Sequence, residues 1–331
     1  MNNVLPTVAD VADAYVRLRD WVVDTPMLEL PALNRRAGMR LLCKAECLQH
    51  SGSFKIRGAL NRLLALSADE RSAGVVAFSS GNHAQAVALA AHWLRVRATI
   101  VMPADAPQVK IDGTRSWGAE VVLYDRERED REQIARRLAA ERGAALVPPF
   151  DHPLVIAGQG TAALELGRAA RGRRAEIEAL YVPCSGGGLV AGSALAIKSV
   201  FPDCAVYAVE PQDYDDTAQS LAAGERRVLA AGGVATICDG LRAPTPGAIT
   251  FAINRRELAG ALRVDDRQVR TAMALAAEHL KVVVEPSGAA ALAAVLAAPP
   301  QGRKCVAVIL SGGNVDAALL VDALRESNAA S

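Results

Sequence analysis

One lysine lies in a position that is unusual for a surface cation, directly after a run of small residues. The stretch Ser51-Gly52-Ser53-Phe54-Lys55 leads into the amphipathic residues 56–64, which predict a helix beginning at this lysine. The first turn of a helix has unpaired N–H groups and the positive end of the dipole, which disfavour a cation and lower the lysine pKa. Because a neutral amine attacks carbonyls, Lys55 is a candidate nucleophile, with a solvated surface lysine as the alternative.

Three turns rich in Ser, Gly and Asn each follow a predicted strand. The apolar runs 74–78, 179–182 and 306–310 end at Ser79-Ser80-Gly81-Asn82-His83, at Ser185-Gly186-Gly187-Gly188-Leu189 and at Ser311-Gly312-Gly313-Asn314. Ligands of parallel α/β sheets bind beyond the carboxyl ends of the strands. We therefore expect the three turns to meet at one site.

The glycine turn of residues 185–188 predicts a phosphate site, because it offers consecutive N–H groups at the start of a helix. Gly186, Gly188 and Ala191 also fit the dinucleotide fingerprint, and Glu210 stands where a ribose-binding acid belongs. An NAD-dependent dehydrogenase is thus an alternative from a different class, and a purely structural turn is another. A nicotinamide enzyme gives the lysine and the other two turns no role, whereas a phosphorylated aldehyde cofactor uses all of them.

Composition favours a small-molecule enzyme with two lobes. The 331 residues are 51% hydrophobic but only 4% aromatic, and 37 Lys and Arg balance 36 Asp and Glu. This excludes a strong positive field or stacking surface for nucleic acid, and no apolar run reaches the length of a membrane span. The six cysteines show no paired spacing and no signal peptide precedes them, so a cytoplasmic protein with reduced thiols is expected.

The elements that position the lysine and the turns alternate between strand and helix, which predicts parallel sheets with right-handed crossovers. Before the lysine we expect an extended piece and then a turn at residues 34–38. The prolines of residues 148–153 indicate a crossing between lobes, and Gly158-Gln159-Gly160-Thr161 is expected to open the next helix.

The four motifs, taken in order, resemble the threonine/serine dehydratase and serine racemase family of fold-type-II pyridoxal phosphate enzymes. The resemblance rests on Ser-Gly-Ser-Phe-Lys-Ile-Arg-Gly-Ala, Ser-Ser-Gly-Asn-His-Ala-Gln-Ala, Ser-Gly-Gly-Gly-Leu and Ser-Gly-Gly-Asn, with Glu285-Pro286-Ser287-Gly288 also matching. It implies an α/β fold of two lobes, each an open, mostly parallel sheet flanked by helices, with the cofactor in the cleft. Residues 1–70 and 150–331 would form the large cofactor-binding domain, residues 71–149 the small domain, and the protein a homodimer.

The resemblance also implies roles for individual residues. Lys55 would form the Schiff base with pyridoxal 5′-phosphate, Phe54 would lie against the ring, Asn82 would contact the ring hydroxyl, and Ser311 would face the pyridine nitrogen. The phosphate would be held by Ser185, Gly186, Gly187, Gly188 and Leu189. The substrate carboxylate would dock on Ser79, Ser80, Asn82 and His83, and Ser80 would be the second acid/base that a racemase needs.

An acidic segment follows the strand at residues 205–209. The resemblance implies a divalent cation bound by the carboxylates of Glu210 and Asp216 and by the carbonyl of Tyr214, and oxygen ligands suit Mg²⁺, Ca²⁺ or Mn²⁺. A solvated acidic turn is the alternative.

The implied activity is β-elimination from an amino acid such as L-threonine or L-serine, giving a 2-oxo acid and ammonia. Serine racemase and 3-hydroxyaspartate dehydratase are alternatives, and Arg242 is a candidate cation for a second substrate carboxylate. A catalytically inactive binding protein is a third class, which would show neither cofactor nor turnover.

Overall fold

The computed structural model describes residues 4–79, 81–106, 108–230 and 235–329. Its strands are β1 (Met27–Leu28), β2 (Arg40–Lys44), β3 (Val75–Phe78), β4 (Ala98–Pro103), β5 (Glu120–Tyr124), β6 (Ala145–Leu146), β7 (Ala179–Pro183), β8 (Ala205–Pro211), β9 (Gly260–Val264) and β10 (Cys305–Ile309). Its helices are α1 (Val8–Leu18), α2 (Pro31–Ala37), α3 (Lys55–Leu64), α4 (Ala68–Ala73), α5 (Asn82–Leu94), α6 (Gln108–Ser116), α7 (Arg131–Arg142), α8 (Pro153–Gly172), α9 (Gly188–Val200), α10 (Asp216–Ala223), α11 (Ala248–Glu257), α12 (Asp266–Leu275), α13 (Pro286–Ala297) and α14 (Ala317–Ala329).

The strands form two sheets. One sheet has six strands in the order β1-β2-β10-β7-β8-β9 and is parallel except for β1, and the other has four parallel strands in the order β5-β4-β3-β6. Parallel strands need crossover connections, and here helices supply most of them. The predicted α/β class with two mostly parallel sheets is confirmed, while the domain boundaries at residues 70 and 150 stay a prediction.

The central strands β3, β4, β7 and β10 are buried on both faces, which explains why they are continuous apolar runs, whereas the edge strands β5 and β9 are partly exposed. In β10, Val306 and Val308 pack into one hydrophobic cluster, whereas Ala307 and Ile309 pack into the cluster on the opposite face. Alternate residues of β3 are divided between two clusters in the same way. Since side chains alternate along a strand, each sheet separates two layers of helices.

Two local predictions were wrong. Residues 34–38 were expected to form a turn, but Pro31 occupies the first position of α2, which runs to Ala37 and ends at Gly38 with a left-handed φ of 71°. A proline at this position is compatible with a helix because its missing N–H would be unpaired anyway. The helix expected to open at Gly158 begins at Pro153, so the Gly-Gln-Gly motif lies inside α8.

Helix α8 packs closely against α3, which begins at Lys55, and against α9, which begins at Gly188. A Cβ on Gly158 would lie 2.5 Å from the Arg57 carbonyl oxygen of α3, and a Cβ on Gly160 would lie 2.6 Å from the Gly192 carbonyl oxygen of α9. Glycine inside a helix lowers helix stability by about 1 kcal/mol relative to alanine, so each of these two glycines needs a compensating contact. The close packing of α8 against α3 and α9 compensates for this loss. The same packing fixes the position of the lysine helix relative to the glycine loop.

A buried charge network holds the first turns of α3. Arg57 is completely buried, and its guanidinium donates to Glu46 at 2.7 Å and to both carboxylate oxygens of Glu165 at 2.7 Å. Lys44 donates to the same Glu165 carboxylate at 2.6 Å. Planar, bidentate pairs of this type constrain geometry strongly, so the network sets the position of α3 two residues after Lys55.

Among the described residues, no helix combines the length and the apolar character needed to cross a bilayer.

Candidate active site

A cavity of about 460 Å³ lies at the carboxyl ends of strands from both sheets. The turn after β3, the glycine loop after β7 and Ser311 after β10 all line it, as does Lys55. The structure therefore brings together the predicted lysine and all three turns, as the rule for ligand sites in parallel sheets anticipates.

Lys55 is the first residue of α3, and its Nζ donates to the Pro149 carbonyl oxygen at 2.9 Å. Nζ also lies 5.0 Å from the centroid of the Phe54 ring, which lines the same cavity. Desolvation lowers the pKa of Lys55 to about 8, against the opposing attraction of Glu285. A substantial fraction of this amine is thus neutral near pH 8, the form required of a nucleophile or a general base.

The turn after β3 is held by its own polar groups. Ser79 Oγ accepts the Gly81 N–H at 3.2 Å, and His83 Nε2 lies 2.9 Å from the Val147 carbonyl oxygen. Burial, and then the charge of Lys55, lower the pKa of His83 to about 3. The ring is therefore neutral with its proton on Nε2, which suits a positioning role better than proton transfer. Ser80, the fourth predicted residue of this turn, lies outside the described residues.

Asn82 connects this turn to the carboxyl end of β10 and to Glu285, which belongs to a matching motif but had no predicted role. Its Nδ2 donates to Glu285 Oε1 at 2.6 Å, and its Oδ1 accepts from Asn314 Nδ2 at 2.8 Å. Burial and the neighbouring Asp239 raise the pKa of Glu285 to about 8. This carboxyl group lines the cavity as a mostly neutral acid at pH 7.

The glycine loop is shaped as a cradle of donors. The Gly186 carbonyl accepts Thr250 Oγ1 at 2.6 Å and the Gly187 carbonyl accepts the Ala191 N–H at 3.0 Å, so the carbonyls are engaged by helical residues. Gly187 has a φ of 89°, which disfavours any residue with a Cβ. The loop leads into α9, where free N–H groups and the helix dipole favour an anion.

Two side chains that line the cavity pack directly against this loop. A Cβ on Gly186 would lie 2.3 Å from the Phe150 ring, and a Cβ on Gly188 would lie 2.7 Å from Gln159 Oε1. Leu189 and Ser185 complete the loop, and Ser185 Oγ accepts the Ala243 N–H at 3.1 Å. Because these glycines have no side chains, Phe150 and Gln159 can lie directly against the loop backbone.

Glu210 does not fit the dinucleotide alternative. It is completely buried, and its two carboxylate oxygens accept the N–H groups of Thr217 and Ala218, each at 2.9 Å. The carboxylate therefore caps α10 and does not line the cavity, so Glu210 is not the ribose-binding acid of an NAD site, and only the glycine spacing still supports that alternative.

Asp216 presents an unsatisfied acidic group next to Glu210. Both of its carboxylate oxygens are buried without a hydrogen-bond partner among the described residues, and burial and Glu210 raise its pKa to about 8. Tyr214 lies nearby on the cavity wall, where its hydroxyl accepts Arg242 Nε at 3.2 Å. Over the described ranges, no cluster of three or more His, Cys, Asp or Glu side chains could hold a metal.

Cations line the outer part of the cavity. Lys110 from α6 pairs with Asp239 at 2.8 Å, and Arg126 pairs with Asp105 at 3.2 Å. Arg131 and Arg242 also line the cavity, and neither forms an ion pair with another described residue. The mouth therefore favours an anionic ligand.

Comparisons with known proteins agree with this geometry. The family profile described as "Pyridoxal-phosphate dependent enzyme" matches residues 18–312. The chain is 47% identical over 315 residues to L-threo-3-hydroxyaspartate ammonia-lyase of Saccharomyces cerevisiae, covering 95% of this chain and 94% of that protein. It is 41% identical over 316 residues to serine racemase of Schizosaccharomyces pombe, covering 95% and 96%. The crystal structure of serine racemase from Dictyostelium discoideum superimposes with a TM-score of 0.86 at 39% identity, covering 94% of this chain and 99% of that one.

Proposed function

The chain belongs to the pyridoxal-phosphate dependent enzyme family, and from this premise we propose that it is an ammonia-lyase acting on small β-hydroxy amino acids. The observation that carries the proposal is the Lys55 amine, whose pKa is lowered to about 8, facing a cavity that ends in a glycine loop. The products are a 2-oxo acid and ammonia. A homodimer in the cytoplasm, with no nucleic-acid partner, stays a prediction.

The residues present fit the coenzyme. The cradle of Ser185 to Leu189 would hold its phosphate, Lys55 would hold its aldehyde carbon, and Phe54 would lie beside its ring. Ser311 would approach the ring nitrogen and Asn82 the ring hydroxyl. Because a serine hydroxyl cannot enforce protonation of that nitrogen as a carboxylate can, the pocket favours elimination over transamination.

When bound, pyridoxal phosphate supplies an aldehyde that joins the amino group and a ring that accepts electrons from Cα. The chain supplies the remaining functions. The turn at residues 79–83 binds the substrate carboxylate, and the neutral Lys55 amine removes the Cα proton. Lys55 Nζ donates to the Pro149 carbonyl at 2.9 Å, which holds the amine at the cavity wall, where the coenzyme aldehyde would join it.

Two measurements test the proposal together. The purified protein loaded with coenzyme should show a visible absorption band, and addition of a hydroxy amino acid should release 2-oxo acid and ammonia in equal amounts. Absence of the band with binding of a nicotinamide nucleotide would favour the dehydrogenase. Neither band nor turnover would favour an inactive binding protein.

We further propose that a substrate with a second carboxylate, 3-hydroxyaspartate, is preferred over L-serine and L-threonine. Arg131 and Arg242 support this preference, because both line the cavity and neither is paired with a described carboxylate. We expect Arg131→Gln or Arg242→Gln to lower kcat/KM for L-threo-3-hydroxyaspartate about 10-fold more than for L-serine, the effect of losing one charged hydrogen bond.

Arg126→Gln is the matched control for that experiment, since Arg126 lines the same cavity but is already paired with Asp105. Equal losses for the two substrates in all three variants would contradict a carboxylate-binding arginine. Steady-state kinetics with a 2-oxo acid assay measure these constants.

The glycine loop gives a second prediction. Gly186→Ala places a Cβ 2.3 Å from the Phe150 ring, so either the ring or the loop must shift. Overpacking costs about 1–3 kcal/mol, and we expect the coenzyme Kd to rise about 5- to 150-fold, as measured by equilibrium dialysis.

Phe150→Leu in the Gly186→Ala background should recover part of the affinity, because it removes the ring from the clash. Gly113→Ala on α6 is the control, since a Cβ there meets nothing within 4 Å. An unchanged Kd in Gly186→Ala would show that the loop does not hold the phosphate in this conformation.

We also propose that Asp216, Glu210 and the Tyr214 carbonyl hold a divalent cation such as Mg²⁺, Ca²⁺ or Mn²⁺. The support is the pair of buried Asp216 oxygens, unpartnered among the described residues, beside a second buried carboxylate. Two carboxylates and a carbonyl provide oxygen ligands that these cations prefer, and water completes the set. The site is placed to stabilise the chain after β8.

Removal of the cation is therefore expected to lower thermal stability and activity together, and Mg²⁺ should restore both. A cation at 100 times its Kd adds about 2.7 kcal/mol to the unfolding free energy. Thermal unfolding with chelator and with Mg²⁺ measures the difference. Asp216→Asn should lose this response, whereas Asp213→Asn, an exposed acid in the same segment, should keep it. A full Mg²⁺ response in Asp216→Asn would refute the assignment.

A further inference from the structure

Gln159 is a buried polar side chain for which the mechanism above gives no role. It lies inside α8, is 1% exposed and lines the active-site cavity. Its Nε2 donates to the Pro149 carbonyl at 3.3 Å, and the same carbonyl accepts Lys55 Nζ at 2.9 Å. Because a carbonyl oxygen only accepts, this contact fixes the orientation of the amide, with Oε1 turned away from Pro149.

The Oε1 atom has no hydrogen-bond partner among the described residues, although it is fully enclosed. It lies beside the glycine loop, since a Cβ on Gly188 would be only 2.7 Å from it. A buried acceptor without a donor loses its hydrogen bond to water and gains nothing in exchange. The close contacts of Gly158 with α3 and of Gly160 with α9 also hold Gln159 rigidly in place. A donor from a ligand is therefore expected at this point.

The surroundings specify what kind of donor that is. The loop of residues 185–189 offers N–H groups and contains no Lys or Arg, so its charge balance favours a weakly charged phosphate. An amide oxygen repels an ionised phosphate oxygen, since both only accept hydrogen bonds. The two atoms attract each other only when that phosphate oxygen carries a proton.

We propose that Gln159 Oε1 accepts a hydrogen bond from a hydroxyl of the coenzyme phosphate, so that the site binds the phosphate in its singly ionised form. This inference rests on the proposed function, because it concerns the phosphate of the same coenzyme. Phosphate monoesters lose their second proton with a pKa of about 6, so the free coenzyme is mostly doubly ionised at pH 8. Gln159 thus acts as a positioning residue that keeps one proton on the phosphate, close to the carbonyl that anchors Lys55.

The ³¹P NMR shift of the bound phosphate reports its ionisation without any turnover. For the holoenzyme we expect the shift of the singly ionised form, unchanged between about pH 6.5 and 8.5. In Gln159→Met, which keeps the side-chain length but removes the acceptor, the resonance should move towards the doubly ionised position as pH rises. Gln159→Glu retains an acceptor oxygen and should keep a protonated phosphate over more of this range than Gln159→Met.

Equilibrium dialysis of the same proteins should show a coenzyme Kd about 10- to 100-fold higher for Gln159→Met, the effect of one hydrogen bond to a charged group. Gln133→Met on the exposed face of α7 is the control and should behave as the parent protein. If Gln159→Met fails to load, the titration of the parent holoenzyme decides alone. A bound resonance that titrates like the free coenzyme overturns the inference and leaves the proposed function standing, whereas no bound resonance at all overturns the proposed function.

Discussion

Replacement of Lys55 by alanine is expected to lower the rate of 2-oxo acid formation by at least ~10³-fold, even with saturating coenzyme. In the proposed mechanism the same amine would hold the coenzyme and remove the Cα proton, and a positioned general base alone contributes about 10²–10⁴-fold. A 2-oxo acid assay measures the loss. Lys304→Ala, which removes an exposed lysine, is the control and should retain full activity.

Covalent attachment of the coenzyme should also follow the titration of Lys55. Its pKa is lowered to about 8, so the neutral amine grows as pH rises through 8, whereas an ordinary lysine becomes neutral only above about 10. The rate at which the visible band forms should therefore rise between about pH 7 and 8.5 and then level off. Borohydride reduction and peptide mapping should place the label on Lys55. A label on Lys44 or Lys110 would disprove the site assignment.

The sequence predicted those parts of the site that depend on local pattern. Strands β3 and β7 are buried on both faces, so each is a continuous apolar run in the sequence. The end of each run therefore predicts both the end of the strand and the polar turn that follows it. The start of α3 at Lys55 follows from the small residues before it. Helix α2 was missed because a proline followed by a short amphipathic segment fits both a turn and a first helical turn.

The parts that were not predicted depend on contacts between distant residues. Glu285 meets Asn82 across 203 positions, and its raised pKa results from burial that no local pattern reveals. The sequence predicts Gln159 only as part of a glycine motif that opens a helix. Its environment depends on the packing of α8 against α3 and α9, which no local pattern shows. The glycines at positions 158 and 160 were the available signal, since two glycines within one helix indicate close packing.

The second large effect concerns Ser80, which the resemblance to racemases makes the candidate for a second acid/base. A single base removes the Cα proton from one side only, so racemisation requires another group that returns a proton from the opposite side. Loss of the β-hydroxyl from an L-amino acid needs no such group. Any conversion between L- and D-serine should therefore depend on both Lys55 and Ser80, while L-elimination depends on Lys55.

Ser80→Ala is accordingly expected to lower racemisation of serine and breakdown of D-serine by about 10²–10⁴-fold, the usual contribution of one acid/base group, while most L-serine dehydration remains. Chiral chromatography of serine, run beside a 2-oxo acid assay on the parent protein and the variant, separates the two activities. Ser80→Thr is the matched variant, since it keeps a hydroxyl and should retain part of the racemisation. If Ser80→Ala lost L-elimination as completely as Lys55→Ala, Ser80 would itself be required for elimination. The assignment of separate roles to the two residues would then be wrong.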